Sequence, residues 1–398
     1  MSASSHDAAS SALGYLYQSQ WPLLELLRNS LDRPDQSITL ELFDDVAWED
    51  QGTPTQLLQL KHHAAQGRVL GDMSSDIWRT VRVWMDGVDV TDPDGPTLCL
   101  VTTQSAGAGS AAAALRPEES GGRDATAARE LLENAARGSR DKETRQIRER
   151  FLALSIPHRE TFVGRIRVLD QAPMIDGLDA KVRREVGRAL PRGHEDTFMG
   201  LLWSWWHARV VEMLQGKRRS VSGLDVDMKI NVLRDSFAAD ALPTLVELDA
   251  LETSTADSLM DRKFVHQLRL VGMPPVLILK AIGDYYRAYT QTAMWVESNL
   301  IGLGELERFE ARLCDEWERE HAWMISDLPD DATEDDRRRA GLKLLRETLD
   351  RSAIRVRERY SEPFFCRGKH HELADDSRVG WHPEFRARLE SLLIGVQM

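Results

Sequence analysis

Between Ile38 and Lys61 the sequence sets three carboxylates, Glu41, Asp44 and Asp45, against an amide and an ammonium, Gln59 and Lys61, with one leucine between the last two. Carboxylate oxygens suit a hard divalent cation such as Mg²⁺ or Mn²⁺. A lysine beside such a cation can hold or deprotonate an attacking water and offset charge that develops on a phosphate. The chemistry this permits is phosphodiester hydrolysis. A lone general base contributes only about 10²–10⁴-fold, so a metal has to supply much of the rest. Asp45 is the first expected metal ligand. Gln59 offers a neutral carbonyl oxygen where an acid would be commoner, so metal affinity rests more heavily on Glu41, Asp44, or Gln18 reaching in from upstream. The expected catalytic set is Asp45, Gln59, Lys61, Glu41, Asp44 and Gln18, with Asp45, Gln59 and Glu41 on the metal. His62 and His63 follow Lys61 directly. Adjacent strand residues face opposite ways, so only one of the two can share the lysine's face.

Short elements have to position these groups. Ile38–Trp48 and Gln56–Lys61 are rich in β-formers and are joined by Gly52-Thr53-Pro54, which predicts two strands and a hairpin or sheet corner. Residues i and i+2 of a strand share a face, so Gln59 and Lys61 point the same way. Upstream, Leu13, Tyr17, Leu24, Leu27 and Leu31 fall at roughly helical spacing, predicting a helix that ends near Pro34. Downstream, Ser74-Ser75-Asp76 predicts the N-cap of a helix through Trp84, and Thr97–Thr102 predicts a buried strand.

This order of helix, paired strands, helix and strand resembles the core of the restriction-endonuclease-like PD-(D/E)xK nucleases, in a Gln-x-Lys variant. More narrowly, Gly14-Tyr15-Leu16-Tyr17-Gln18, Glu41 to Val46, Leu57 to His63 and Ser74 to Trp84 resemble the effector subunit of the ABC three-component (Lamassu-type) antiphage defence systems. Those effectors share their nuclease core with the DNA endonucleases of bacterial cyclic-nucleotide signalling operons. The resemblance implies an α/β restriction-endonuclease-like N-terminal domain followed by a mainly α-helical C-terminal region. It further implies double-stranded DNA as substrate, and as partners an SMC-like ATPase that senses abnormal DNA ends and a small bridging subunit.

The chain has 398 residues, 42% hydrophobic and 29% charged, enough for two or three domains. No run of eighteen apolar residues occurs, and Met1–Ser11 lacks a basic stretch followed by an apolar one, so neither a membrane span nor a secretory signal is expected. Cys99, Cys314 and Cys366 are few and far apart, which points to a reduced, cytoplasmic setting. The net charge of −13 argues against autonomous DNA binding. Residues 1–105 hold six Lys/Arg against fifteen Asp/Glu, too few cations for the roughly six to ten phosphate contacts of a tight binder. Residues 106–220 reverse the balance, with 21 against 16. Contacts to the DNA backbone are therefore expected there, at Arg145, Arg148, Arg183, Arg184, Lys217, Arg218 and Arg219, although a solvated helix surface accounts for the same charges. Homo-oligomerisation on activation would pool these regions.

Three regions follow: 1–105 as the nuclease domain, 106–220 as linker and mainly helical middle with one strand, and 221–398 as a helical domain for docking to partner subunits. The small-residue stretch 105–127 predicts a linker, and Ala127–Leu154 predicts helix broken near Gly138. Phe162–Leu169 alternates and predicts a strand, which either extends the sheet or caps the middle region. The tryptophans at 203, 205 and 206 predict a helix covered on several sides, by its own core or by a partner. Further on, Phe264–Gly272 predicts a helix, and Pro274-Pro275 opens another with Val276, Leu279, Ile282, Tyr286 and Tyr289 at apolar spacing. Together with Phe365–Leu373 and Val379–Pro383, this part resembles the C-terminal domain of the same defence effectors. Cys366, His370, His371 and His382 look loosely like zinc ligands, but their spacing fits no known ligand pattern, so a structural turn is expected. A metal enzyme built on that group is a third reading. The alternative to a nuclease is a non-catalytic adaptor that keeps the nuclease fold and docks onto the SMC-like ATPase.

Overall fold

A computed structural model describes residues 3–33, 35–63, 67–248, 251–350 and 354–395. The chain divides into two compact units, Met1–Leu190 with Phe198–Val232, and Pro191–Thr197 with Leu233–Met398.

The first unit opens with α1 (Ala3–Asn29), followed by β1 (Ser37–Leu40), β2 (Val46–Asp50), β3 (Thr53–Lys61), β4 (Val69–Leu70), α2 (Ser75–Gly87), β5 (Thr97–Thr102) and β6 (Ser105–Ala106). It continues through α3 (Ala111–Ala114), α4 (Ala125–Gly138), α5 (Arg145–Ala153), α6 (Ile156–Gly164), β7 (Ile166–Leu169), α7 (Leu178–Glu185), α8 (Glu195–Leu214), β8 (Val221–Ser222) and α9 (Gly223–Ser236), with α8 and α9 shared with the second unit. Six strands form a mixed sheet in the order β7-β5-β3-β2-β1-β8. Strands β3, β5 and β7 run parallel, whereas β2, β1 and β8 join antiparallel.

Two layers cover the sheet. On one face Glu25 of α1 accepts a hydrogen bond from Trp48 Nε1 at 3.1 Å. On the other, Ala47, Leu57, Leu98 and Leu100 join Trp78, Val81 and Trp84 of α2 and Leu132 of α4 in one apolar cluster. Helix α2 starts where Ser74 caps the Asp76 amide, and its buried residues Ile77, Trp78, Val81 and Trp84 recur at three- and four-residue spacing.

The structure departs from the sequence reading at several points. Ile38–Trp48 is two strands, because Glu41, at φ 52°, turns the chain and puts the three carboxylates on a loop. The β2–β3 turn uses positive φ at Gln51 and Gly52, as a two-residue hairpin turn requires. Helix α1 stops at Asn29, five residues before Pro34, which lies outside the described residues, and Leu31 is exposed. The stretch 105–127 is folded: it carries β6, α3 and the cap of α4, and Ala111 and Ala112 are buried in the apolar cluster with α2 and α4. Of Phe162–Leu169 only the second half is strand. That half pairs parallel with β5, so it extends the sheet and ties residues 106–190 into this unit.

The second unit is helical: α10 (Thr253–Ser258), α11 (Lys263–Leu270), α12 (Pro275–Glu297), α13 (Leu303–Ser326), α14 (Glu334–Asp350), α15 (Pro363–Asp375) and α16 (Phe385–Gly395). Its core gathers Phe264, Leu268, Ile282, Trp295, Phe309, Trp317, Phe365 and Trp381. Among the described residues no helix is long and apolar enough to cross a membrane.

Candidate active site

Strand β3 carries Leu57, Gln59 and Lys61 on the face that packs toward α2, and the β1–β2 loop brings its carboxylates to the same end of the sheet. Gln59, buried, donates its amide to Asp44 Oδ1, while its Oε1 accepts from Lys61 Nζ at 3.0 Å. Asp44 Oδ2 accepts from Trp84 Nε1 of α2 at 3.0 Å, and Asp45 Oδ2 accepts from the Leu60 amide at 2.9 Å. A chain of hydrogen bonds thus runs Trp84, Asp44, Gln59, Lys61. Burial pushes the Asp44 carboxyl above its ordinary range, against the pull of the Gln59, Asp45 and Trp84 donors. Glu41 is raised too, first by burial and then by Asp45 and Asp44. Carboxylates that raise each other's pKa form a site that a cation would relax.

Five of the six expected catalytic residues are therefore brought to one corner. They do not play equal parts. Asp44, with both oxygens engaged, orients Gln59, whereas Asp45 Oδ1 and the Glu41 carboxylate lie outside that hydrogen-bond chain. Gln18 sits half-buried on α1 and makes no hydrogen bond to the group. Among the described residues no three His, Cys, Asp or Glu are grouped closely enough to hold a metal ion. The donors that suit Mg²⁺ are thus two carboxylates, Asp45 and Glu41, with the Gln59 carbonyl, a set a hard cation would complete with water or phosphate oxygen. Trp84 and Asp76 are placed by the sequence on the helix after Ser74 but not at the site. Their signal is the spacing of Asp76, Thr80 and Trp84, four residues apart on one face of α2.

The basic residues divide. Arg148 is not a DNA contact: it is buried, and its guanidinium donates to the carbonyls of Ala136 at 3.3 Å and Ser139 at 2.6 Å and to that of Asp141, closing the α4–α5 connection. Arg219 pairs with the buried Glu49 at 3.1 Å, and Arg218 pairs with Glu212 at 3.1 Å. Arg183 makes a 3.4 Å pair with Asp179. Arg145, Arg184 and Lys217 are exposed.

In the second unit, α15 buries His370 and His371, and His382 is buried just beyond it. His371 lies 5.4 Å from the Phe264 ring, His370 lies 6.3 Å from Trp381, and His382 Nδ1 accepts the Glu384 amide at 3.1 Å. They are core side chains on and after a helix, not a turn, and they form no metal-binding group with Cys366. Burial lowers His370 to about 4 and His371 to about 3, so both are neutral when folded. Residues 264–389 match C-terminal domain 7 of the ABC-three component (ABC-3C) systems. The match covers about a third of the chain. No curated protein and no solved structure matches the chain.

The domain 7 region has a distinct acid response. The unfolded chain binds protons at His370 and His371 between about pH 6.5 and 4, where the folded one does not, so stability falls as pH drops through that window. Glu372, raised by burial to about 7, acts oppositely, because its ionisation above the ordinary carboxylate range disfavours the fold. The His371 share of this loss is expected between about pH 6.5 and 4.5 and is read as the difference in urea unfolding between the full chain and its His371→Gln variant; a difference independent of pH would contradict burial of that imidazole.

Two apolar faces compete on α12. Of the sequence stripe Val276, Leu279, Ile282, Tyr286 and Tyr289, Ile282 is buried and the other four are exposed, 69% at Val276; Ile282 is buried together with Ile278, Ala281, Tyr285, Ala288 and Trp295.

Proposed function

We propose that this chain is a metal-dependent DNA endonuclease, the effector of an ABC-three component antiphage defence complex, built on a restriction-endonuclease-like core. The observation that carries the reading is the chain of hydrogen bonds from Trp84 through Asp44 and Gln59 to Lys61, set beside Asp45 and Glu41. The match of residues 264–389 supports the defence setting and the presence of partner subunits. A Mg²⁺ or Mn²⁺ ion held by Asp45, Glu41 and the Gln59 carbonyl would polarise the phosphate and acidify a bound water. Gln59 keeps the Lys61 ammonium on the site's face, where it neutralises charge growing on the phosphoryl oxygens. Asp44 fixes which way the Gln59 amide points, since its carboxylate accepts only from the NH₂ side.

The acidic balance of residues 1–105 and the pairing of Arg148, Arg218 and Arg219 leave little free positive charge near the core. Grip on DNA then comes from the assembly, with an SMC-like ATPase and a bridging subunit as the proposed partners and oligomerisation on activation as the proposed trigger. The test is cleavage of duplex DNA by the chain with its genomic neighbours, with and without EDTA, for wild type and Asp45→Asn. Loss of cleavage in EDTA, restoration by Mg²⁺, and a roughly 10²-fold or greater defect in Asp45→Asn are expected. Metal-independent cleavage, or an Asp45→Asn variant as active as wild type, would refute the assignment. The adaptor reading draws on the absence of a closed three-acid cluster among the described residues. It predicts no cleavage under any of these conditions.

A further inference from the structure

Strand β3 ends at Lys61, but the chain stays extended against β5 beyond it. His63 follows two residues on, and Thr103 pins the backbone there: His63 N donates to Thr103 Oγ1 at 3.0 Å, and Thr103 N donates to the Lys61 carbonyl at 3.2 Å. His62 turns the other way, its ring 4.9 Å from Tyr17 of α1 and its Nε2 accepting the Ile175 amide at 3.4 Å. Opposite the active face, α2 presents Asp76, Thr80 and Trp84 in a row about 12 Å long at 1.5 Å per residue. Residues 59, 61 and 63, the last just past the end of β3, span about 13 Å at an extended 3.3 Å per residue.

The two rows run in opposite directions and meet at both ends. Trp84 reaches the Gln59 end through Asp44, and Asp76 Oδ2 meets His63 Nε2 at 2.8 Å. An imidazole with Nε2 tied to a carboxylate has its ring orientation fixed and Nδ1 left for chemistry. The pair is partly exposed, the side chains at 22% and 17%. Among charged groups, Asp76 faces His63 from α2, and Lys61 stands two residues back at the end of β3. His62 is adjacent only through the backbone, its own pKa lowered by burial and by His63.

We propose, resting on the nuclease reading, that His63 is the general acid of the cleavage and that Asp76 is its positioning residue. As the oxygen of water bonds to phosphorus, the His63 imidazolium gives its Nδ1 proton to the oxygen that departs. The proton lost by the water passes to solvent, and neutral His63 is reprotonated from solvent. The products are one phosphomonoester and one free hydroxyl.

The test uses the chain with its partner subunits on two duplexes. One is ordinary DNA; in the other the linkages at the positions cut by wild type carry sulfur in place of the departing oxygen. A thiolate leaves without a proton, so the acid becomes dispensable there. His63→Gln is expected to lose about 10²–10³-fold on ordinary DNA and less than about tenfold on the sulfur duplex. Asp76→Asn is expected to show a smaller loss with the same rescue, and it carries the comparison if His63→Gln does not assemble. Equal losses on both duplexes, or none on either, overturn the assignment. Lys61→Ala separates the two layers of inference. If Lys61→Ala cuts both duplexes like wild type, the nuclease reading fails and His63 fails with it. If Lys61→Ala is dead on both and sulfur does not rescue His63→Gln, only the acid assignment fails.

Discussion

Lys61→Ala is expected to abolish DNA cleavage and phage protection by the assembly while leaving assembly itself intact. Lys61 ends β3, and its ammonium is held 3.0 Å from Gln59 Oε1. Removing one positioned charge from a phosphoryl transition state costs roughly 10²–10³-fold in rate. The lysine is only half-buried, so the substitution opens no cavity and strands no buried charge. Gln59 loses its donor on one side only and keeps its bond to Asp44. Stability is therefore expected to change by no more than about 0.5 kcal/mol. The measurements are a nuclease assay, a phage plating assay and co-purification with the genomic neighbours. Full protection by Lys61→Ala would leave the adaptor reading standing.

Most of the corner was legible in the sequence because its strands are short, uninterrupted and flanked by strong stops. The run Thr97–Thr102 and the cap at Ser74 appear in the structure where their residue types put them. The acidic loop was misjudged because Glu41 in a left-handed conformation turns a chain whose flanks both look like strand. The helix at α12 is legible in the sequence, but which of its faces is buried is not. Val276, Leu279, Tyr286 and Tyr289 are apolar at helical spacing, but so are Ile278, Ile282, Tyr285 and Trp295, and only long-range packing selects between the two faces. Arg148 teaches the same about charge. A guanidinium satisfied by three backbone carbonyls looks, in sequence, like one waiting for phosphate. Trp84 and Asp76 could be placed on one helix face, but their partners Asp44 and His63 lie 40 and 13 residues away and meet them only through the sheet.

The second large effect is expected at Gly368→Ala. Helix α15 crosses α12 with Gly368 against the α12 backbone, and an added Cβ would overlap the Asp284 carbonyl and the Ala288 side chain. Arg367 flanks the crossing with a 2.7 Å bond to Asp284, and Gln267 of α11 donates to the Ala374 carbonyl at 2.7 Å. Alanine in a helix interior is favoured over glycine by up to about 1 kcal/mol, which on an isolated helix would raise stability. Here the clashing atoms are backbone and a methyl group, with no flexible side-chain end to give way, so the helices must separate and loosen Ala288, Phe365 and Trp295. Overpacking of that kind costs about 1–3 kcal/mol or more, and the net result is a loss of about 2 kcal/mol and a Tm lower by roughly 4–8 °C. Gly304→Ala is the control. That residue lies in the first turn of α13, and its Cβ would meet only the mobile end of Arg308 at 3.6 Å. It is expected to leave Tm unchanged or raise it slightly. If the two variants melted alike, the close crossing of α12 and α15 would be wrong, and the buried face of the domain 7 region would have to be redrawn.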